Sequence, residues 1–103
     1  MIKLKGFKDV FAEQQRILIL QLLEKDTNHT VNNVLLQKGL EYVGHNISLD
    51  KVNTECAWLE DQGLVKVTVL NENLSLITAT RAGIDVVLSR RVVPGVDMPI
   101  EGI

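Results

Sequence analysis

Cysteine, proline and aromatic side chains are scarce in this chain: its 103 residues include one cysteine, two prolines, two phenylalanines, one tryptophan and one tyrosine. The single cysteine, Cys56, cannot form an internal disulfide, which excludes a disulfide scaffold and favours a reducing cytoplasm. Cys56 and the two histidines, His29 and His45, lack the close paired spacing of a zinc site. We therefore predict no metal and no cofactor.

Long apolar runs and catalytic motifs are also lacking. The longest apolar cluster, residues 17–23, is interrupted by Gln21 and is too short to span a bilayer. The N-terminus has lysines but no apolar segment or cleavage site of a signal peptide. Ser48 and the histidines stand in no nucleophile-elbow context, and no glycine-rich phosphate loop is present. These absences predict a cytoplasmic protein without membrane contact and without enzymatic activity.

Positive charge is not in excess: 11 Lys and Arg stand against 13 Asp and Glu, so the net charge is −2. This balance is adverse for a nucleic-acid binder, whose non-specific affinity comes from neutralised phosphates. It does not exclude DNA binding, because affinity for DNA depends on how charge is distributed over the face that binds rather than on the net charge.

The stretch 48–65 carries the clearest structural signal. Ser48 is a good helix N-cap, and Gly63 supplies the left-handed residue that ends a helix cheaply. Between them an apolar stripe recurs at spacings of three and four residues, and a β-rich run starts directly after Gly63. The stripe consists of Leu49, Val52, Cys56 and Leu59. This pattern is typical of a winged helix-turn-helix, with 48–62 as its recognition helix.

The remaining elements fit the same architecture. The fold class is α+β, mostly α: a winged helix-turn-helix with a three-helix body, a two-stranded wing and a C-terminal helix. We assign residues 1–91 to this domain and 92–103, which contain both prolines, to an irregular C-terminal tail. The predicted elements are helix 7–25, a second helix capped by Thr30 or Asn32 and running to about residue 43, a turn at 44–47, strands 64–70 and 74–78, and a helix from Arg81, capped by Thr80, to about Arg91.

The exposed side of helix 48–62 is the candidate DNA-binding surface. Its N-terminal half offers side chains suited to base edges, since Asn pairs with adenine and Lys with guanine. Four acidic residues in the same segment, Asp50, Glu55, Glu60 and Asp61, oppose this prediction by repelling phosphates. The predicted DNA-binding residues are Ser48, Lys51, Asn53 and Thr54 in the helix, Lys66 at the base of the wing, and Asn71 and Asn73 at its tip.

Helix 7–25 is apolar on several sides. Either the rest of the fold encloses it, or it forms a homodimer interface together with the C-terminal helix. Trp58 lies off the apolar stripe of helix 48–62, where it either covers the wing strands or anchors a protein partner. The candidate protein-interface residues are Phe7, Phe11, Leu18 and Leu22 of helix 7–25, together with Trp58 and Val87.

Two segments resemble winged-helix transcription regulators. Residues 58–65 are similar to that family's join between recognition helix and wing. Residues 77–83 are similar to its threonine-x-x-glycine lead into the last helix, with Ala79 in place of the usual leucine. Over its whole length the chain resembles a small conserved protein of Mu-like phages and prophages. The segments that carry this likeness are Phe7-Lys8-Asp9, Arg16-Ile17-Leu18, Val43-Gly44-His45, Ala57-Trp58-Leu59-Glu60 and, with one extra valine, 91–96.

The resemblance implies a winged-helix fold in a phage context, within a bacterial host. The leading hypothesis is a small DNA-binding protein, regulatory or accessory to DNA maturation, that binds double-stranded DNA as a homodimer. The alternative is a protein–protein interaction module with little DNA binding, which would contact a phage or host protein through the acidic helix face, Trp58 or the tail 92–103. Fold alone does not decide between them.

Overall fold

The computed structural model describes residues 5–103. Its helices and strands confirm the predicted winged helix-turn-helix. In chain order they are α1 (Phe7–Lys25), β1 (Thr30–Asn32), α2 (Asn33–Tyr42), α3 (Leu49–Asp61), β2 (Val65–Val69), β3 (Ser75–Ala79) and α4 (Arg81–Val87). Residues 1–4, the start of the predicted domain 1–91, lie outside the described residues.

The ends of α3 are formed as predicted. The Ser48 hydroxyl accepts a hydrogen bond from the Lys51 amide at 3.1 Å. Gly63 takes a φ of +74°, and the Leu64 amide then donates to the Leu59 carbonyl, the reversal that closes a helix on a left-handed residue. Because this reversal points the chain back along α3, strand β2 begins two residues after Gly63.

Within residues 5–103 the sheet has three strands rather than the two predicted. β3 lies in the centre, with antiparallel neighbours β2 and β1. β1 contains only three residues, too few for an alternating pattern, and it is stabilised by a hydrogen bond between the hydroxyls of Thr30 and Thr78 at 2.9 Å. Asn32, not Thr30, caps α2 by accepting from the Leu35 amide.

The core surrounds the middle of α1. Residues 17–20 are at most 1% exposed, because α2, α3, α4 and the central strand β3 pack around this part of the helix. Leu18 is therefore a core residue, and its prediction as an interface residue is wrong. A leucine buried within one chain has no apolar surface left to offer a partner.

The last helix ends at Val87 and not near Arg91. Ser89 adopts a φ of +60°, and the Arg90 amide donates to the Asp85 carbonyl, so the chain turns as it does after Gly63 but without a glycine to signal the turn. Leu88, the first residue after the helix, is 47% exposed as a result.

The tail 92–103 is irregular and packs along α1. Val96 is buried, Gln21 exchanges two hydrogen bonds with the backbone of Ile100, and the Asp97 amide donates to the Glu13 carbonyl. The buried amide of Gln21, which interrupts the apolar cluster of α1, is therefore satisfied by the tail. These contacts fasten the tail to the helical body.

Candidate nucleic-acid interface

The N-terminal half of α3 presents a mostly neutral polar surface. Asn53 and Thr54 are exposed, and the next exposed position on this side is Ala57. The Thr54 hydroxyl donates to the Asp50 carbonyl one turn earlier, which leaves its lone pairs accessible. Ser48 is exposed, with its hydroxyl engaged in the cap. Lys51 retains a side chain that is 41% exposed at the edge of this surface.

Glu55 does not belong to the exposed face, which corrects the prediction that it repels phosphates there. Its side chain is 2% exposed, and its two carboxylate oxygens bind different cations. Arg16 Nε donates to Oε1 at 2.7 Å, and Lys51 Nζ donates to Oε2. Glu55 lies three residues after Val52, on the inward stripe of α3. That spacing indicates burial, but carboxylates are rarely buried unless they are paired.

Arg16 joins α3 to the tail. Its guanidinium lies 3.9 Å from the centre of the Trp58 ring, and its Nη1 donates to the Gly95 carbonyl at 2.9 Å. Gly95 has a φ of +90°, and a Cβ there would lie 2.7 Å from the Trp58 ring. The half-buried Trp58 thus packs against Arg16 and the tail. These contacts differ from the predicted one, in which Trp58 covers the wing strands.

The wing tip is built by asparagine. The side-chain oxygen of Asn71, Oδ1, accepts hydrogen bonds from the backbone amides of Asn73 and Leu74, at 2.9 and 3.0 Å. Asn71 therefore shapes the turn, while its amide nitrogen remains free of any hydrogen bond within residues 5–103. Lys66 is exposed near the base of the wing, and it takes part in no ion pair of the described chain.

A second acidic residue also has an internal role. Glu60 is exposed, but its Oε2 accepts from the Val67 amide at 2.8 Å. This contact occupies a backbone donor on the outer edge of β2, which otherwise invites pairing with another strand. Among the described residues, the carboxylates on the exposed side of α3 that make no ion pair are then Asp50 and Asp61, one at each end of the helix.

Asn33 connects the helix, the sheet and the wing, and sequence reasoning missed it. It is 1% exposed and donates from Nδ2 to Asn53 Oδ1 at 3.0 Å and to the Asn73 carbonyl at 3.2 Å. The pair Asn32-Asn33 signals a helix cap, but no local pattern shows that the second asparagine turns inward. Two predicted DNA-binding residues, Asn53 and Asn73, are thereby tied to one buried side chain.

A cleft of about 300 Å³ separates α3 from the wing. Asn53, Ala57 and Glu60 line its helical side, and Val69 and Glu72 line its wing side. Cys56 lies beneath it, where burial raises the pKa of the thiol to about 12 and keeps it protonated. The cleft therefore offers apolar and acidic surface but no reactive thiolate.

The other predicted interface residues lie at the surface to different degrees. Phe7 and Phe11, at the N-terminal end of α1, are 81% and 54% exposed, with ring centroids 6.4 Å apart. Leu22 and Val87 are only half-buried. Across residues 5–103, no helix is long and apolar enough to cross a membrane, and no three potential metal ligands come together.

Comparison with known proteins places the chain next to a phage protein. Gp26 of Escherichia phage Mu is 38% identical over 91 residues, which cover 88% of this chain and 93% of gp26. An uncharacterized protein of Haemophilus influenzae is 32% identical over 76 residues, 74% of either chain. No protein-family model matches the sequence.

Solved structures with the same fold include RosR of H. salinarum. One RosR structure superposes with a TM-score of 0.63 at 19% identity, covering 74% of this chain and 67% of RosR. The complex structure hsRosR-S1 gives a TM-score of 0.60 at 20% identity, covering 84% of this chain and 69% of RosR. At these identities the likeness establishes the fold.

Proposed function

We propose that this chain, which belongs to the family of phage Mu gp26, is a DNA-binding protein. In this proposal the exposed side of α3 enters the major groove, as recognition helices of helix-turn-helix proteins do. Lys51, Asn53 and Thr54 contact base edges there, and the capped Ser48 faces the backbone. The wing contacts the adjacent DNA through Lys66, Asn71 and Asn73.

The burial of Glu55 is the observation that carries this proposal. Counted from sequence, α3 holds four carboxylates against one lysine, a charge that repels DNA. In the structure Glu55 is neutralised by Arg16 and Lys51, and the one positive charge left in this cluster is balanced by the exposed Asp50 in the first turn of α3. The surface that would face the bases is therefore close to neutral, rather than acidic as the sequence suggested, and it is rich in hydrogen-bonding groups.

The role we propose is that of a small phage or prophage regulator, or an accessory to DNA maturation, acting on double-stranded DNA in the cytoplasm of the bacterial host. Membership in a family with a phage protein supports the phage context, and the winged-helix fold supports DNA as the ligand.

We further propose that the chain acts as a homodimer through the exposed N-terminal half of α1. Two recognition helices would then contact two half-sites.

The salt dependence of DNA binding tests the proposal with one substitution and one control. We expect Lys66→Gln to weaken binding to a mixed-sequence duplex. The plot of the logarithm of the association constant against the logarithm of salt concentration should become less steep by about 0.9, which corresponds to the loss of one phosphate contact. Arg90→Gln removes the same charge at an exposed position after α4, a helix that packs against α1 and β3. Fluorescence anisotropy at several salt concentrations gives both slopes, and equal slopes for the two variants would contradict the assigned wing contact.

A protein partner is the second candidate, favoured by the composition of the cleft between α3 and the wing. Val69 and Leu70 are 70% and 51% exposed beside Glu72. Exposed apolar side chains rimmed by acids suit a basic, apolar protein segment. If DNA leaves these residues unaffected while a phage or host protein perturbs them, the second candidate replaces the first.

A further inference from the structure

The hydrogen bonds around Asn33 fix the orientation of its side-chain amide. Its Oδ1 accepts from two backbone amides, Val34 and Ser75, each at 3.1 Å. Its Nδ2 faces the Asn73 carbonyl, which can only accept. Because backbone N–H groups donate and carbonyls accept without ambiguity, only one of the two amide orientations satisfies all three partners.

This orientation determines what Asn53 can offer to a ligand. Asn33 Nδ2 also donates to Asn53, so the atom of Asn53 that faces Asn33 must be its oxygen, Oδ1. The side-chain nitrogen of Asn53 then points away from Asn33. Asn53 is exposed on α3, and within residues 5–103 its Nδ2 makes no hydrogen bond. The residue therefore presents a donor outward and holds its acceptor inward.

We propose that Asn33, a buried residue outside the DNA-facing surface, determines the base preference of α3 by orienting Asn53. This inference rests on the proposed DNA-binding function and adds a specificity to it. With Nδ2 outward, Asn53 selects a major-groove acceptor: N7 of a purine, O6 of guanine or O4 of thymine. The amino groups of cytosine and adenine, which donate, are disfavoured at the contacted atom.

The same side chain also sets the position of the wing relative to α3. One NH₂ group bridges Asn53 of the helix and Asn73 of the wing tip, two elements that the cleft otherwise separates. A change at Asn33 is thus expected to alter the base contact of α3 and the wing contact together. Asn33 acts as a positioning residue, since Asn53 and the wing make the contacts themselves.

Asn33→Asp tests the inference by reversing the hydrogen bond. An aspartate can still accept from Val34 and Ser75, although it loses the donation to the Asn73 carbonyl. It lies in the first turn of α2, where a negative charge is favourable. It can only accept from Asn53, so Asn53 must turn its Nδ2 inward and its Oδ1 outward. Selection from a randomised duplex library is expected to shift the base at the Asn53-dependent position to one with a donor, cytosine N4 or adenine N6, by about fivefold or more.

Two variants make this result interpretable. Asn53→Ala identifies the position, because its base preference disappears there. Asn32→Asp adds the same charge one residue earlier and keeps the cap on Leu35, so its base preference is expected to match that of the unmodified chain. An Asn33→Asp protein that selects the same base as the unmodified chain overturns this inference alone, while an unmodified chain that selects no sequence overturns it together with the proposed function.

If Asn33→Asp does not fold, as judged by circular dichroism, the unmodified chain provides the test. A duplex carrying a base analogue without the major-groove acceptor, such as a 7-deazapurine, is placed at the Asn53-dependent position. Binding is expected to weaken about fivefold for the unmodified chain and to stay constant for Asn53→Ala. Equal affinity of the unmodified chain for both duplexes would overturn the inference.

Discussion

Arg16, Glu55 and Lys51 form one ionic cluster that joins three parts of the molecule. The cluster links α1 to α3, and through the Gly95 carbonyl and the Trp58 ring it reaches the tail. A buried carboxylate is stable only when its charge and its hydrogen bonds are satisfied. Arg16 is the larger contributor here because it approaches Glu55 from within the body, whereas Lys51 approaches from the solvent-facing edge.

Removing Arg16 is therefore expected to destabilise the fold. Arg16→Met keeps the aliphatic length but leaves Glu55 with a single, partly exposed partner, and we expect a loss of roughly 3 kcal/mol in the free energy of unfolding. Urea denaturation followed by circular dichroism measures it. Arg81→Met, at an exposed position, serves as the control and should change stability by less than about 0.5 kcal/mol.

The double variant Arg16→Met with Glu55→Leu separates the ionic cause from a packing cause. Once the carboxylate is absent, no buried charge lacks its partner, and most of the lost stability should return. If the single Arg16→Met variant unfolds at the same urea concentration as the unmodified chain, the cluster does not have the structural role described.

At the scale of single residues, the sequence predicted what depends on neighbouring positions. The caps Ser48 and Thr80 and the left-handed Gly63 are set by residues within one turn, and all three are confirmed. The buried states of Glu55 and Asn33 depend on partners 39, 40 and 42 residues distant, respectively Arg16, Asn73 and Ser75. Local patterns contain no information about such partners.

At the scale of elements, α1 divides into a buried and an exposed half. Its middle and C-terminal parts are enclosed, whereas Phe7, Val10 and Phe11 keep between 43% and 81% of their surface exposed. The sequence showed the excess of apolar side chains but not where along the helix the cover ends. The short strand β1 and the early end of α4 were missed for a similar reason, because neither carries a glycine or an alternating pattern.

The exposed half of α1 is where we expect a second copy of the chain to bind. Sedimentation equilibrium should give a mass near twice the 11.5 kDa of one chain. Phe7→Ser with Phe11→Ser should shift this mass toward the monomer, since both rings would lose their apolar contact. Tyr42→Ser, which removes a 93% exposed ring from α2, is the matched control and should leave the mass unchanged. A mass of 11.5 kDa at high protein concentration would contradict the proposed dimer.

At the scale of the whole molecule, net charge is a poor guide to the surface that binds. The chain carries −2 overall, yet internal pairing removes Glu55 from the surface and employs Glu60 within the fold. The architecture was predictable because hydrophobic spacing and turn residues act along the chain. The electrostatics of the site were not, because they depend on which charges the folded chain brings into contact.

Chemical-shift mapping with DNA tests the account most directly. A mixed-sequence duplex is added at low salt to ¹⁵N-labelled protein, and the same titration is repeated at high salt. The account predicts perturbed amides concentrated in residues 48–54 and 64–73, with the perturbations lost as salt is added. Unchanged spectra at low salt, or perturbations confined to α4 and the tail, would contradict the claim that α3 and the wing bind DNA.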